Sequence, residues 1–78
     1  MEFTYDKRRN IAYLRLADSP AEVETIQVSD DLNIDIGPTG KVYGIELLNA
    51  NEQLDSLVAG KLRVKNEATG ETVEVSLP

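Results

Sequence analysis

Residues 40–51 read GKVYGIELLNAN, and they join a strand pattern to the beginning of a helix pattern. In an extended chain, every second side chain points to the same face. One face of this segment would then carry Lys41, Tyr43, Ile45 and Leu47, and the other Val42, Gly44, Glu46 and Leu48. The alternation predicts a strand in which Glu46 shares its face with apolar side chains and a glycine.

Gly44 and Glu46 raise the question whether this strand carries a functional group. A glycine inside a strand often marks a close approach by another group, and the following helix is a candidate for that group. Glu46 would then hydrogen-bond the helix N-terminus or pair with Arg15 across the sheet, since an unpaired half-buried carboxylate is costly. We favour this structural role, and a ligand-binding or catalytic role beside a cleft is the alternative.

The segments before residue 40 also alternate with period two and are separated by turns. Strands are predicted in EFTYD, IAYLRLA, VETIQVS and LNIDI, and the third of these alternates least regularly. The second has apolar groups on both faces, which predicts a central strand. In the fourth, Leu32, Ile34 and Ile36 are expected in the core, and Asn33 and Asp35 in solvent.

After residue 50 the apolar period changes from that of a strand to that of a helix. Leu54, Leu57 and Val58 form one helical stripe, so one short helix is predicted at about 51–59. Asn49 or Asn51 is suited to cap its start, and Gly60 to follow its end. Residues 61–77 then predict a C-terminal β-hairpin with its turn around Ala68 to Gly70.

Together these segments predict an α+β, mostly β fold in a single domain, residues 1–78. About five strands should form an antiparallel meander, because every connection before the helix is short. The helix should lie on one face of this sheet. A chain of 78 residues buries a modest share of its surface, so a second copy is one source of added stability.

The composition excludes several classes of protein. A net charge of −6 argues against a non-specific nucleic-acid or membrane binder. Residues 18–55 carry nine acidic residues against one basic residue, so the middle of the chain is the candidate surface for a basic partner. The absence of a signal pattern or a long apolar run after Met1 leads us to expect a cytoplasmic protein.

No catalytic, cofactor or metal site is predicted. The chain has no histidine and no cysteine, so the commonest nucleophile–base pairs and most transition-metal sites are excluded. Oxygen ligands for calcium or magnesium are available at Asp30, Asp31 and Asp35, but a polar turn and a solvent-facing strand position explain them better. The turn KRRN at 7–10 is likewise interpreted as solvated, not as a phosphate site.

Three pieces of the sequence resemble a known family. They are Tyr5-Asp6, AYLRL at 12–16 and GKVYGIELLNA at 40–50. This spacing is similar to that of a group of small bacterial proteins called domain of unknown function 2283. The resemblance spans residues 3–50, leaves residues 61–78 outside, and implies a shared fold without catalytic residues. The turn GPTGK lacks the acidic residues that many relatives have there, which weakens the idea of a metal-binding loop.

Two functions remain, and we prefer a small non-catalytic interaction protein. It would bind a protein partner or itself, with a homodimer formed by exchange of the C-terminal hairpin as one route. For a basic partner, the candidate surface consists of Glu22, Glu24, Asp31 and Asp35. The alternative is a small enzyme or ligand-binding domain that uses Glu46, Arg15 and a tyrosine, with Arg15, Gly44 and Glu46 as its candidate cluster.

Overall fold

A computed structural model describes residues 1–18 and 22–77. The side chains of Ser56 and Val58 are outside this description, so the predicted place of Val58 in the helical stripe lies outside the described residues. The strands within the described part are β1 (Glu2–Asp6), β2 (Ile11–Arg15), β3 (Glu24–Ser29), β4 (Leu32–Ile36), β5 (Val42–Leu48), β6 (Lys61–Lys65) and β7 (Thr72–Ser76). Two short helices, α1 (Ala50–Gln53) and α2 (Asp55–Ala59), lie between β5 and β6.

The first five strands form one antiparallel sheet in the order β1-β2-β5-β4-β3. Strands β6 and β7 form a separate two-stranded antiparallel hairpin. The predicted fold class is therefore confirmed: the chain is mostly β, with a five-stranded sheet, a short helical region and a C-terminal hairpin. The longest strand, β5, lies at the centre of the sheet.

The strand order departs from a simple meander at one junction. We expected β2 and β3 to be neighbours, but β2 pairs with β5, and β3 lies at the far edge. Eight residues connect β2 to β3, and they can span up to about 26 Å when extended. The two strands are three strand spacings apart, about 14 Å. A short connection therefore did not require adjacent strands.

The helical region is interrupted where one helix was predicted. Leu54 has an extended backbone, with φ −121° and ψ 99°, and it separates α1 from α2. Neither Asn49 nor Asn51 caps the helix start through its own side chain. Asn49 has a left-handed backbone and makes no side-chain cap, and the Asn51 amide donates to the Asn10 Oδ1 at 3.0 Å. The cap is therefore supplied by the β1–β2 turn.

The register of the strands divides the sheet into two faces. We call the side that carries Phe3, Leu14, Ile45, Ile34 and Ile26 in one cross-strand row the apolar face. Only Ala12 and Ala50 are buried hydrophobic residues among those described. The molecule measures 35 × 33 × 19 Å and is therefore flattened. Because so few hydrophobic residues are buried, the described part of the chain gives the apolar face only a partial second layer.

Candidate functional site

The other side of the sheet, which we call the polar face, brings together most of the predicted site residues. Tyr13, Glu46 and Asn33 are cross-strand neighbours in one row. The next row contains Arg15, Gly44, Asp35 and Thr25, from β2, β5, β4 and β3. The predicted cluster of Arg15, Gly44 and Glu46 therefore shares one surface, and its tyrosine is Tyr13.

A hydrogen-bonded bridge crosses the polar face above Gly44. The Tyr13 hydroxyl donates to the Asp35 Oδ2 at 2.7 Å, and the Thr25 hydroxyl donates to the Asp35 Oδ1 at 2.7 Å. A Cβ at position 44 would collide with the Tyr13 hydroxyl. Gly44 thus marks a close approach, as predicted from its place in a strand, but the approaching group is Tyr13 and not the helix.

Asp35 changes the acid–base character of Tyr13. Its carboxylate raises the pKa of the Tyr13 phenol above the ordinary value of 10.0, chiefly by accepting the phenol's hydrogen bond. Partial burial of the phenol and the negative charges of Asp35 and Glu46 act in the same direction, whereas Arg15 opposes them. Tyr13 is therefore a protonated donor at neutral pH, which suits a structural hydrogen bond better than a general base.

Glu46 has a different partner from the two that we considered. Its Oε1 accepts a hydrogen bond from the Asn33 Nδ2 at 3.0 Å, across the β4–β5 pair. Glu46 makes no ion pair with Arg15. The two ion pairs in the described part of the chain join Arg9 to Asp6 and Lys61 to Glu74. The hydrogen bond from Asn33 favours a structural role for Glu46, because it pairs a half-buried carboxylate with a donor.

The four acidic residues of the candidate interaction surface do not form one patch. Glu24 begins β3 and Asp31 follows its other end, so these two lie about 17 Å or more apart along the strand. Glu22, Glu24 and Asp31 are exposed, whereas Asp35 is half-buried and accepts hydrogen bonds from two hydroxyl groups. Glu22 and Glu24 therefore remain as an accessible acidic pair at one end of β3, with Asp31 beyond the other end.

The described residues contain no group of three or more acidic, histidine or cysteine side chains arranged to hold a metal ion. Five surface grooves of 230–540 Å³ lie on the described surface, and none of these five is lined by Glu46, Gly44 or Tyr13. Arg15 of the predicted cluster lines one of them, a groove of about 360 Å³, together with Glu2 and Asp18. No helix in this part of the chain is long and apolar enough to cross a membrane.

Sequence reasoning did not find the role of Asn10. Its Oδ1 accepts hydrogen bonds from the Tyr5 hydroxyl and the Asn51 amide, and its Nδ2 donates to the Asn51 and Asn49 side chains. The backbone of Asn10 is left-handed, with φ 56°, a conformation in which asparagine is enriched. The turn KRRN at 7–10, which ends at Asn10, was interpreted only as a solvated turn, yet Asn10 links this turn to the start of α1.

A large apolar surface lies on the side of the molecule opposite the polar face. In the hairpin, Leu62 faces Val75 and Val64 faces Val73, so these four side chains form one stripe. Leu62, Val75 and Leu77 line a groove of about 270 Å³ with Phe3, Tyr5 and Leu57. The hairpin stripe and the apolar face of the sheet therefore form one continuous surface, which we call the apolar surface.

Exposure along the hairpin stripe rises toward its tip. Leu62 and Val75, near the base, are 36% and 45% exposed, whereas Val64 and Val73 are 55% and 62% exposed. At the far edge of the sheet, Ile26 is 40% exposed. Contiguous apolar area of this kind on a small protein is typical of an interaction site.

The chain matches a known protein family. The model of a family described as "Protein of unknown function (DUF2283)" matches residues 2–51. This range contains the whole five-stranded sheet and the start of α1, and it excludes the hairpin. No curated protein matches the chain. No solved structure matches it either.

Proposed function

The chain belongs to the DUF2283 family, and we propose that it is a small non-catalytic interaction protein. It binds a protein partner, or itself, through the apolar surface defined above. The observation that supports this proposal is the exposed hairpin stripe, which continues onto a half-exposed sheet face. Burying such area against a partner is favourable by about 25 cal/mol per Å² of apolar surface.

The polar face supports a structural role for its side chains. The carboxylates of Asp35 and Glu46 already accept hydrogen bonds, and the Tyr13 hydroxyl already donates one. The alternative of an enzyme or ligand-binding domain built on Glu46, Arg15 and a tyrosine therefore has less support. Two features support the proposal that a partner protein would be basic. They are the net charge of −6 and the exposed Glu22 and Glu24 beside the apolar face.

Two adjacent residues of β7 provide a matched test. Val73 lies in the apolar stripe opposite Val64, whereas Thr72 faces the other way, opposite Lys65. Both are exposed, so a glutamate at either position leaves the fold of the single chain intact. Val73→Glu places a charge in the proposed contact, and Thr72→Glu places the same charge in solvent.

The measurement is the apparent mass of the tagged protein in a native extract of its host, by size-exclusion chromatography. The wild type and Thr72→Glu are expected in a complex larger than the 8.6 kDa chain, and Val73→Glu at the mass of the free chain. A wild type that elutes as the free chain would contradict the proposal. So would a Val73→Glu variant that keeps the complex.

A further inference from the structure

We propose that the apolar surface is covered by a second copy of this chain, in a two-fold dimer with exchanged hairpin contacts. This inference rests on the proposed function and names its partner. In the dimer the apolar faces of the two sheets pack on each other. The tip of each hairpin, at Val64 and Val73, covers Ile26 and Ile34 of the other copy.

The first support comes from the exposed area. The chain exposes 5965 Å², whereas a compact monomer of its mass exposes about 4,700 Å². The excess is about 1,300 Å² for each chain, and a standard interface buries about 800 Å² for each partner. The molecule therefore exposes enough additional surface to form a stable dimer.

The second support comes from the shape. The Cα radius of gyration is 14.0 Å, and a compact domain of this length has about 11.5 Å. Among the described residues only Ala12 and Ala50 are buried hydrophobic residues, so a full second layer does not cover the sheet. A sheet needs a layer on its apolar face, because stable domains are built from at least two packed layers.

The third support is that one chain carries both halves of the contact. Strand β1 lies at the edge where the chain's own hairpin base covers Phe3 and Tyr5. Strand β3 lies at the opposite edge, where Ile26 is open. Within the described part of one chain, the apolar side chains of the hairpin tip have nothing to pack against. In the same part, the apolar side chains of the β3–β4 half of the sheet have nothing packed on them. A two-fold axis brings each tip onto the open half of its partner.

The oligomeric state of the purified protein tests the inference. Sedimentation equilibrium of the full chain should give a dimer of about 17 kDa, twice the chain mass. Val73→Glu should weaken dimerisation by at least about 100-fold, because the two-fold axis buries the new charge twice. Thr72→Glu should leave the dimer unchanged. Circular dichroism of both variants should match the wild type, which shows that the chains are folded.

The arrangement has its own test, because the chain contains no cysteine. Val73→Cys on one tagged chain and Ile26→Cys on a differently tagged chain are mixed and treated with a short bismaleimide. Cross-links between the two kinds of chain are expected in excess over like pairs. An excess of like pairs overturns the exchange of hairpin tips.

Failure of this inference is distinguishable from failure of the proposed function. A purified wild type that is monomeric at every concentration overturns the homodimer, and a dimer that Val73→Glu leaves intact overturns its formation through the hairpin tips. If the same protein still forms a complex in the host extract that Val73→Glu abolishes, the partner is a different protein and the proposed function stands.

Discussion

Gly44 is the residue on which the polar face depends, because it leaves the space that the Tyr13 side chain crosses. Tyr13 belongs to β2 and its hydrogen-bond acceptor Asp35 belongs to β4, with β5 between them. The absence of a Cβ on β5 lets the phenol pass over the central strand. One side chain therefore links strands that are not neighbours, in addition to the backbone ladder.

Replacing Tyr13 by phenylalanine measures the strength of this link. Tyr13→Phe removes the hydroxyl and leaves Asp35 with Thr25 as its remaining donor. The free energy of unfolding should fall by about 1.5 kcal/mol, the low end of the range for a hydrogen bond to a charged group, because Tyr13 and Asp35 are only half-buried. Urea unfolding of both proteins at pH 7 gives the difference, and equal midpoints would contradict the bond.

The difference in unfolding free energy between wild type and Tyr13→Phe should depend on pH in the alkaline range. The pKa of Tyr13 is raised in the folded chain above 10.0, so the folded state holds the phenolic proton more tightly than the unfolded state. The stability from this bond is complete below the unfolded pKa and is lost as the pH rises through the folded pKa. The stability difference between wild type and Tyr13→Phe should therefore be constant from about pH 7 to 9 and shrink above about pH 10. A difference that grows above pH 10 would contradict the shift.

Sequence reasoning predicted part of this face and missed its contacts. Alternation placed Gly44 and Glu46 on one face and indicated a close approach at Gly44. It did not identify Asn33 as the partner of Glu46, because that pairing depends on the register between β4 and β5. The register includes a shift between Asp35 and Ile36, which has no signal in the sequence.

The elements divide into a paired sheet and a projecting hairpin. Strand β5 has partners on both edges, whereas β6 and β7 have only each other. An isolated two-stranded hairpin is marginally stable in water. The hairpin therefore depends on packing of its apolar stripe, and only its base has that packing within the chain.

Amide hydrogen exchange should show different protection in the hairpin and in the sheet. In Val73→Glu, the amides of β6 and β7 are expected to lose protection, because the hairpin stripe has lost its cover. The amides of β2, β5 and β4 should lose less protection relative to Thr72→Glu, because the ladder of the sheet stays paired in the single chain. Equal loss of protection in the sheet would show that hairpin and sheet open as one unit.

The elements themselves were largely predictable, and their arrangement was less so. Period-two alternation located all seven strands of the described part, including the irregular β3, because a strand with one apolar face leaves that pattern whether or not the face is covered. The pairing of β2 with β5 was missed, since an eight-residue connection permits several strand orders. The break at Leu54 was missed too, because Leu54 fits a helical stripe as well as it fits an extended residue.

For the whole molecule, association and stability should be coupled. A second copy binds the folded chain and not the unfolded one, so the Tm of a dimer depends on protein concentration. A tenfold increase in concentration should raise the Tm of the wild type by about 3–6 °C, since about 1.4 kcal/mol per dimer is shared by two chains. Differential scanning calorimetry gives this value. The Tm of Val73→Glu should stay constant, and a constant wild-type Tm would count against dimerisation.

The hairpin lies outside the region that matches the family, and this bears on which related chains would pair with each other in one cell. The family match ends at residue 51, and the hairpin begins at Lys61. In the proposed dimer, substitutions in the hairpin tip would change which chains pair while the sheet keeps its sequence. A cell that holds several such proteins would then keep each one paired with its own kind. For engineering, the hairpin is a transferable label, and grafting it onto a related sheet would redirect pairing without redesign of the core.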